Sequence, residues 1–426
     1  MEQVCYNRYL ALLRRELIPA MGCTEPIALA YCAAAAWNAS GAQDPAEAAR
    51  VDVCVSGNII KNVKSVIVPH TGNLRGIEAA VAAGMLSGSR EKQLEVLSSL
   101  STEQQARLPE LLARRIIHVT PAHNGKVLYI EITIALQNGT VSHAILEGNH
   151  TNLTLVERNG QPIFQQEWDQ PPAEKADFLT MAGILEFVNA ASASDLEPTV
   201  GRQIDCNCAI AQQGIEHRWG AQVGNTLLEV NGSDVRVRAR AYAAAGSDAR
   251  MSGCEMPVII VCGSGNQGIT ASVPVAVYAR ELGASREQLL RAVALSDLVA
   301  IHEKAGIGCL SAFCGAVCAG CGAGAAVAYL HGGDLEVISQ TVTNALAIVS
   351  GMVCDGAKPS CAGKIATSVD AGLLGYEMVC RSRGFRDGDG IVDGGVEGTI
   401  ANVGRMASAG MRETDRVILD IMCGIS

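Results

Sequence analysis

The chain has 426 residues, 49% of them hydrophobic, 18% charged and only 4% aromatic. Its formal net charge of -10 excludes the basic face that a nucleic-acid partner needs, and no polybasic patch for a membrane surface is present. The length suggests two or three domains, and a core built on Ala and Gly favours helices packed with their backbones close together.

In chain order, residues 2–38 read as helical. Leu10, Leu13, Leu17 and Ile18 recur at helical spacing, a stop falls before Pro19, and IALAYCAAAAWNAS forms a second helix after MGCTEP. Thr24 can cap that helix and Pro26 can sit in its first turn. Cys23 then lies beside a helix N-terminus, where the macrodipole favours a thiolate; a packed turn cysteine is the alternative. The first 22 residues carry scattered charges and no apolar segment with a small-residue cleavage site, so a reducing, cytoplasmic setting is expected.

From Val51 the pattern alternates. VDVCVSG and VKSVIVP read as strands, HTGNLRG opens a helix over 77–86, and helices over 90–100 and 102–113 follow. IIHVTPA, KVLYIEITIAL, TVSHAILEGN and TNLTLVERNG have period-two character and are separated by Asn-Gly and Gly-Asn turn signals. Pro171 and Pro172 mark a boundary. Beyond it helices are expected over 174–190, 197–212, 224–245, 272–282, 285–305, 310–330, 334–350 and 361–378. The expected fold class is α+β, a largely helical Ala/Gly-rich catalytic domain plus a smaller mixed-sheet domain. The division is 1–48 (N-terminal helices packing on the catalytic domain), 49–165 (sheet) and 166–426 (helical, catalytic). Residues 311–330 are uncharged and long enough to span a bilayer, but their Ala, Gly and Cys content favours a buried helix. Asp387, Asp389 and Asp393 lack the closing Glu of a calcium loop and read as a solvated turn.

Six of the sixteen cysteines fall between Cys309 and Cys361. Thiolates are soft ligands for zinc, Cu(I) or iron–sulfur clusters. Cys314, Cys318 and Cys321 stand at i, i+4 and i+7 on one helical face, which makes either a thiolate face or a stripe of small core residues. Cys354 and Cys361 flank the loop DGAKPS, and two loop thiolates with one from a helix can hold a cluster by three corners. GSGNQG, residues 263–268, follows an apolar run and precedes a helix. Backbone N–H groups around Ser264, Gly265, Asn266 and Gln267 suit a small carboxylate; an ordinary glycine loop is the alternative. GNHTN places His150, Thr151 and Asn152 at a strand junction, to bind substrate or to satisfy the local backbone. Lys304 and Lys358 lie near the cysteines, and each can pair with a carboxylate or be solvated.

Taken together, MGCTEPIALAYCAA, PHTGNLRGIEAA, GNHTN, GSGNQGIT, IGCLSAFCG and MVCDGAKPSCAGK resemble the L-cysteine desulfidase family over nearly the whole chain. That family is related to the α chain of iron–sulfur L-serine dehydratases. The resemblance implies a [4Fe–4S] cluster held by Cys314, Cys354 and Cys361, with Cys23 at a catalytic position. Cys309, Cys318 and Cys321 match no ligand position and read as core packing. The implied reaction is β-elimination of L-cysteine to pyruvate, ammonia and sulfide without pyridoxal phosphate, one iron being left open to the substrate. Cys23 would be the base, or a displaceable fourth ligand. The alternatives are a dehydratase of L-serine or another β-substituted amino acid, and a non-catalytic cluster or redox sensor. The expected partner is a small amino-acid substrate, with no nucleic acid and no membrane; a homo-oligomeric state is left open.

Overall fold

Pro19 and the glycine after Met21 set the start of the fold. Helix α1 (Gln3–Glu16) ends ahead of the proline, and a short strand β1 (Pro19–Met21) follows it. The structure, a computed structural model, describes residues 1–166, 178–308 and 311–423. Helix α2 (Thr24–Ser40) is buried on every side except at Asn38, as an Ala-rich helix without a polar face must be.

Strand β2 (Ala48–Val55) leads into α3 (Gly57–Val63). The strand expected at VKSVIVP is absent. Helix α3 takes up its first residue, Val66 and Val68 are buried by packing, and only an Ile67–Arg75 bridge forms. Helix α4 (Ile77–Ser87), a kinked 3-10 run (Arg90–Ser99) and α5 (Thr102–Ala113) come next, α5 opening with a reciprocal Ser101–Gln104 capping box. Then come β3 (Ile117–Pro121), β4 (Tyr129–Leu136), β5 (Val141–Glu147), β6 (Leu153–Arg158) and β7 (Gln161–Gln165). The sheet order is β3-β2-β4-β5-β6-β7, with β2 and β3 parallel and the other neighbours antiparallel. The mixed sheet is as the alternation predicts; the exposed edge strand β7 is an addition.

Helices dominate the remainder: α6 (Met181–Ala190), α7 (Ala193–Leu196), α8 (Arg202–Glu216), α9 (Val223–Asn231) and α10 (Val235–Met251). After strand β8 (Pro257–Ile259) come α11 (Gly265–Glu281), α12 (Arg286–Ala305), α13 (Ala316–Leu330) and α14 (Leu335–Val349). Helices α15 (Cys361–Val379), α16 (Gly395–Arg405) and α17 (Arg412–Cys423) close the chain. The fold class is therefore α+β. The boundary expected at Pro171 and Pro172 lies outside the described residues, as does the first part of the helix expected over 174–190. The single helix expected over 224–245 is two, because Gly232 turns left-handed at φ 81° and Asp234 caps a new start by accepting from Val237 N–H.

The small-residue composition does what it predicts. Helix α13 meets α15 so closely that a Cβ on Gly324 would lie 2.5 Å from the Gly372 carbonyl oxygen. One hydrophobic core lies between α2 and the sheet, and a second lies within the helical part. Tyr9 and Leu13 of α1 join the second core, whereas α2 belongs to the first, so residues 1–48 divide between the two. Among the described residues, no helix is long and apolar enough to cross a membrane.

Candidate active site

Two three-residue strands position the site. β1 pairs antiparallel with β8, placing Met21 opposite Pro257 and Pro19 opposite Ile259. This ladder sets the MGCTEP turn beside GSGNQG. Gly22 makes the turn at φ 66°, where a Cβ would run into the Pro69 ring. Cys23 itself occupies the N-cap of α2, and Thr24, expected as the cap, is its first helical residue. The Thr24 hydroxyl instead reaches across to the Gly263 carbonyl at 3.1 Å.

Cys23, His150 and the three proposed ligand cysteines all line one cavity of about 110 Å³. Cys314 is not on the face shared by Cys318 and Cys321, because α13 starts only at Ala316. A short antiparallel crossing holds Cys314 back: Phe313 bridges Val353, Cys314 N–H donates to Met352 O at 3.0 Å, and Cys354 N–H donates to Ala312 O at 2.6 Å. Cys361 is the first residue of α15. Burial pushes the Cys314 thiol up to about 12, and Cys354 and Cys361 add to the rise, so the three sulfurs lie within charge reach of one another. The Cys361 thiol is raised for the same reasons. Cys318 and Cys321 are fully buried in the helical core, as the packing reading has it, and Cys309 lies outside the described residues.

Among the described residues, no three His, Cys, Asp or Glu side chains converge tightly enough to hold a single metal ion. A cluster ties each of its cysteines to a different iron, which needs a wider triangle of thiols. Three soft donors around one cavity fit a cluster in their chemistry.

The loop carrying Cys354 is stapled in place. Lys364 Nζ donates to Val353 O at 2.9 Å and pairs with Asp355, so it grips both neighbours of Cys354. Gly356 bends the loop at φ 94° against the Lys61 carbonyl, where a side chain would collide. Lys358 pairs with Asp355 and is not among the residues that line the cavity. Its sequence position next to the cysteines reflects this staple.

Opposite the cysteines lies a group that the sequence reading missed, the Glu25 carboxylate. Its Oε2 accepts from the Cys23 thiol at 3.1 Å and from the Thr24 hydroxyl at 2.9 Å. Its Oε1 accepts from Asn62 Nδ2 at 2.8 Å and stands 3.9 Å from His150 Nε2. That separation is beyond hydrogen-bond reach, and His150 Nε2 is buried with no hydrogen-bond partner. Burial pushes Glu25 up, but His150 and the Cys23 and Thr24 donors outweigh it and hold the carboxyl at about 2. The same surroundings reverse the expectation for Cys23. Burial and the Glu25 charge raise its thiol well above the ordinary value, against a smaller pull from Arg250. Cys23 is a neutral donor to Glu25, and the helix N-terminus does not make it a thiolate.

His150 is the one residue of GNHTN that reaches the cavity. The Thr151 hydroxyl donates to Asn149 Oδ1 and Asn152 Nδ2 to the Glu147 carbonyl, so both satisfy their own turn. GSGNQG is itself the N-terminus of α11, with Ser264 at the N-cap making no side-chain cap. Ser264, Asn266 and Gln267 line the cavity, while Gly265 packs behind against Arg250. Lys304, in the last turn of α12, is 6% exposed and lines the cavity as well. Arg250 was also missed. A single arginine in the last turn of a helix gives no sequence signal for burial.

The family profile of the serine dehydratase alpha chain matches residues 91–420 of this sequence. The chain is 50% identical to a UPF0597 protein of Desulfitobacterium hafniense, covering 98% of this chain and 96% of that one. It is 44% identical to a UPF0597 protein of Lachnoclostridium phytofermentans, over 98% and 99% of the two chains. A UPF0597 protein of Bacteroides fragilis is 37% identical, over 98% and 97%.

Proposed function

We propose, for a chain that belongs to the serine dehydratase alpha-chain family, that it is a carbon–sulfur lyase acting on L-cysteine to give pyruvate, ammonia and sulfide. The observation that carries this reading is the convergence of Cys314, Cys354 and Cys361 on the cavity that also holds Cys23, Glu25 and His150. The three cysteines would hold a [4Fe–4S] cluster. When bound, that cluster supplies an iron without a protein ligand, a Lewis acid for the leaving group. The reading calls for no pyridoxal phosphate.

The chain's own residues supply the proton chemistry. His150 Nε2, buried and unpartnered, takes the proton from the substrate α-carbon. Glu25 stabilises the imidazolium that results. The C–H electron pair becomes the Cα=Cβ bond, and the Cβ–S pair leaves with sulfur as sulfide. Cys23, a neutral thiol backed by Glu25, would return a proton to Cβ of the aminoacrylate, and the proton held by His150 then restores the thiol. The imine so formed hydrolyses to pyruvate and ammonia. The site is set back from bulk solvent, with Cys23 only 3% exposed, which strengthens these charge interactions.

The family match itself favours a second reading, in which L-serine or another β-substituted amino acid is dehydrated by the same residues. Protein prepared without oxygen separates the readings. With L-cysteine it should release sulfide and pyruvate in equal amounts, and air should abolish the activity until iron, sulfide and reductant are restored. Pyruvate from L-serine alone would select the dehydratase. No product from either, with a cluster present, would point to a sensor.

A further inference from the structure

We propose that Arg250 is the carboxylate anchor of the cavity and makes it select amino acids with a free α-carboxylate. This deepens the lyase reading and rests on it for the identity of the site. Arg250 ends α10 and is only 4% exposed, yet it lines the cavity. Its Nη1 donates to Asn266 Oδ1 at 3.1 Å, and its Nε is buried with no partner. Among the described residues, no carboxylate pairs with it. A buried cation left without an anion is costly, and the cost is relieved when a ligand brings the missing charge.

The surroundings add to the case for an anion. Gly265 is the first residue of α11, and a Cβ there would strike the Arg250 guanidinium. The helix can therefore bring its first-turn N–H groups up to the guanidinium only because position 265 has no side chain. Those N–H groups have no side-chain cap from Ser264. A guanidinium fork beside open helix amides is a donor array suited to a planar carboxylate. Arg250 also lies within charge reach of both Cys23 and Cys361, so a carboxylate held there sits between the proton-carrying side of the cavity and the cysteine side.

The cavity also holds acceptors. Gln267 Oε1 is buried without a partner and packs against Gly315, next to Cys314. Together with the Glu25 carboxylate it offers acceptors to an ammonium group. A cavity that holds both a cationic donor array and such acceptors matches a zwitterion better than a simple anion.

The test is calorimetric titration of the oxygen-free protein with L-serine and with serinol, which replaces the carboxylate by a hydroxymethyl group. Wild type should bind L-serine and not serinol. Arg250→Met should bind L-serine about 30-fold more weakly or worse, the loss expected for one charge-assisted pair, and Arg250→Lys should fall between. Iron content should not change. Equal affinity of wild type for the two compounds would overturn the proposal. So would unchanged L-serine binding by Arg250→Met, or a loss of iron with retained L-serine affinity, which would assign Arg250 to the cysteine side. The readout is binding, so it stands even where neither amino acid is turned over and the lyase reading fails.

Discussion

The Cys23 thiol donates to Glu25 Oε2 across 3.1 Å, and this contact decides which of the two carries charge. Glu25 is the anion and Cys23 the neutral partner. A thiolate base at Cys23 would place the acid limb of the kcat/KM profile above the ordinary thiol range. With His150 as base, the limb should instead keep its position in Cys23→Ser, whose hydroxyl can still donate to Glu25. His150→Asn should lose at least ~10²-fold in kcat, the typical cost of a missing general base. A limb that tracks thiol titration, or near-normal turnover by His150→Asn, would return the role of base to Cys23.

Glu25 also ties stability to pH. Its folded pKa of about 2 lies below the ordinary 4.5. Its contribution is therefore complete above about pH 4.5 and is lost as pH falls toward 2. The shift corresponds to about 3 kcal/mol. Urea unfolding of wild type and Glu25→Gln across pH 5 to 3 should converge, because only wild type has this contribution to lose. Parallel curves would show that the carboxylate is not held down.

Asp297 works in the opposite direction. It is fully buried between α12 and α8, with Oδ1 accepting from Gln203 Nε2 at 2.8 Å and Oδ2 unpartnered. Burial pushes its carboxyl up to about 8, which the Gln203 bond only partly offsets. The folded protein keeps a proton that the unfolded chain releases near pH 4, so stability falls as pH rises from there to about 8. Asp297→Asn removes that loss. Its stability relative to wild type should rise by about 4 kcal/mol between pH 5 and pH 8. A pH-independent difference would mean that Asp297 is ionised in place.

Lys364 should matter for iron and little for folding. It grips Val353 O and Asp355, the two neighbours of Cys354. Lys364→Met should melt as a folded protein and yet lose iron to a chelator about 10-fold more readily, the usual effect of removing a group that orients a metal ligand. Iron retention equal to wild type would make the staple irrevelant to the ligand loop.

Much of this site can be read from the sequence, and the exceptions have physical causes. Period-two alternation placed β2 to β6, most clearly where β2, β4 and β5 each bury alternate residues in the core they share with α2. β1 and β8 are three residues long, too short to show any period, yet their pairing brings Cys23 to GSGNQG. Cys314 has helical spacing to Cys318, but the Phe313–Val353 bridge overrides it. Glu25 and Arg250 look like ordinary surface charges one residue at a time. Their burial comes from tertiary packing, which local propensity does not encode. Thr151 and Asn152 sit beside His150 in sequence and still face their own turn, since neighbours in a tight turn point in different directions.

The central claim, a cluster held by Cys314, Cys354 and Cys361, is tested most directly by the iron and acid-labile sulfide content of oxygen-free protein and its cysteine variants. Wild type should carry about four of each per chain, as the proposed cluster requires, with a broad visible absorption. Cys314→Ala, Cys354→Ala and Cys361→Ala should each lose both, while Cys318→Ala and Cys321→Ala, which change buried core residues, should keep them. Iron lost from Cys318→Ala and retained by Cys314→Ala would contradict the account.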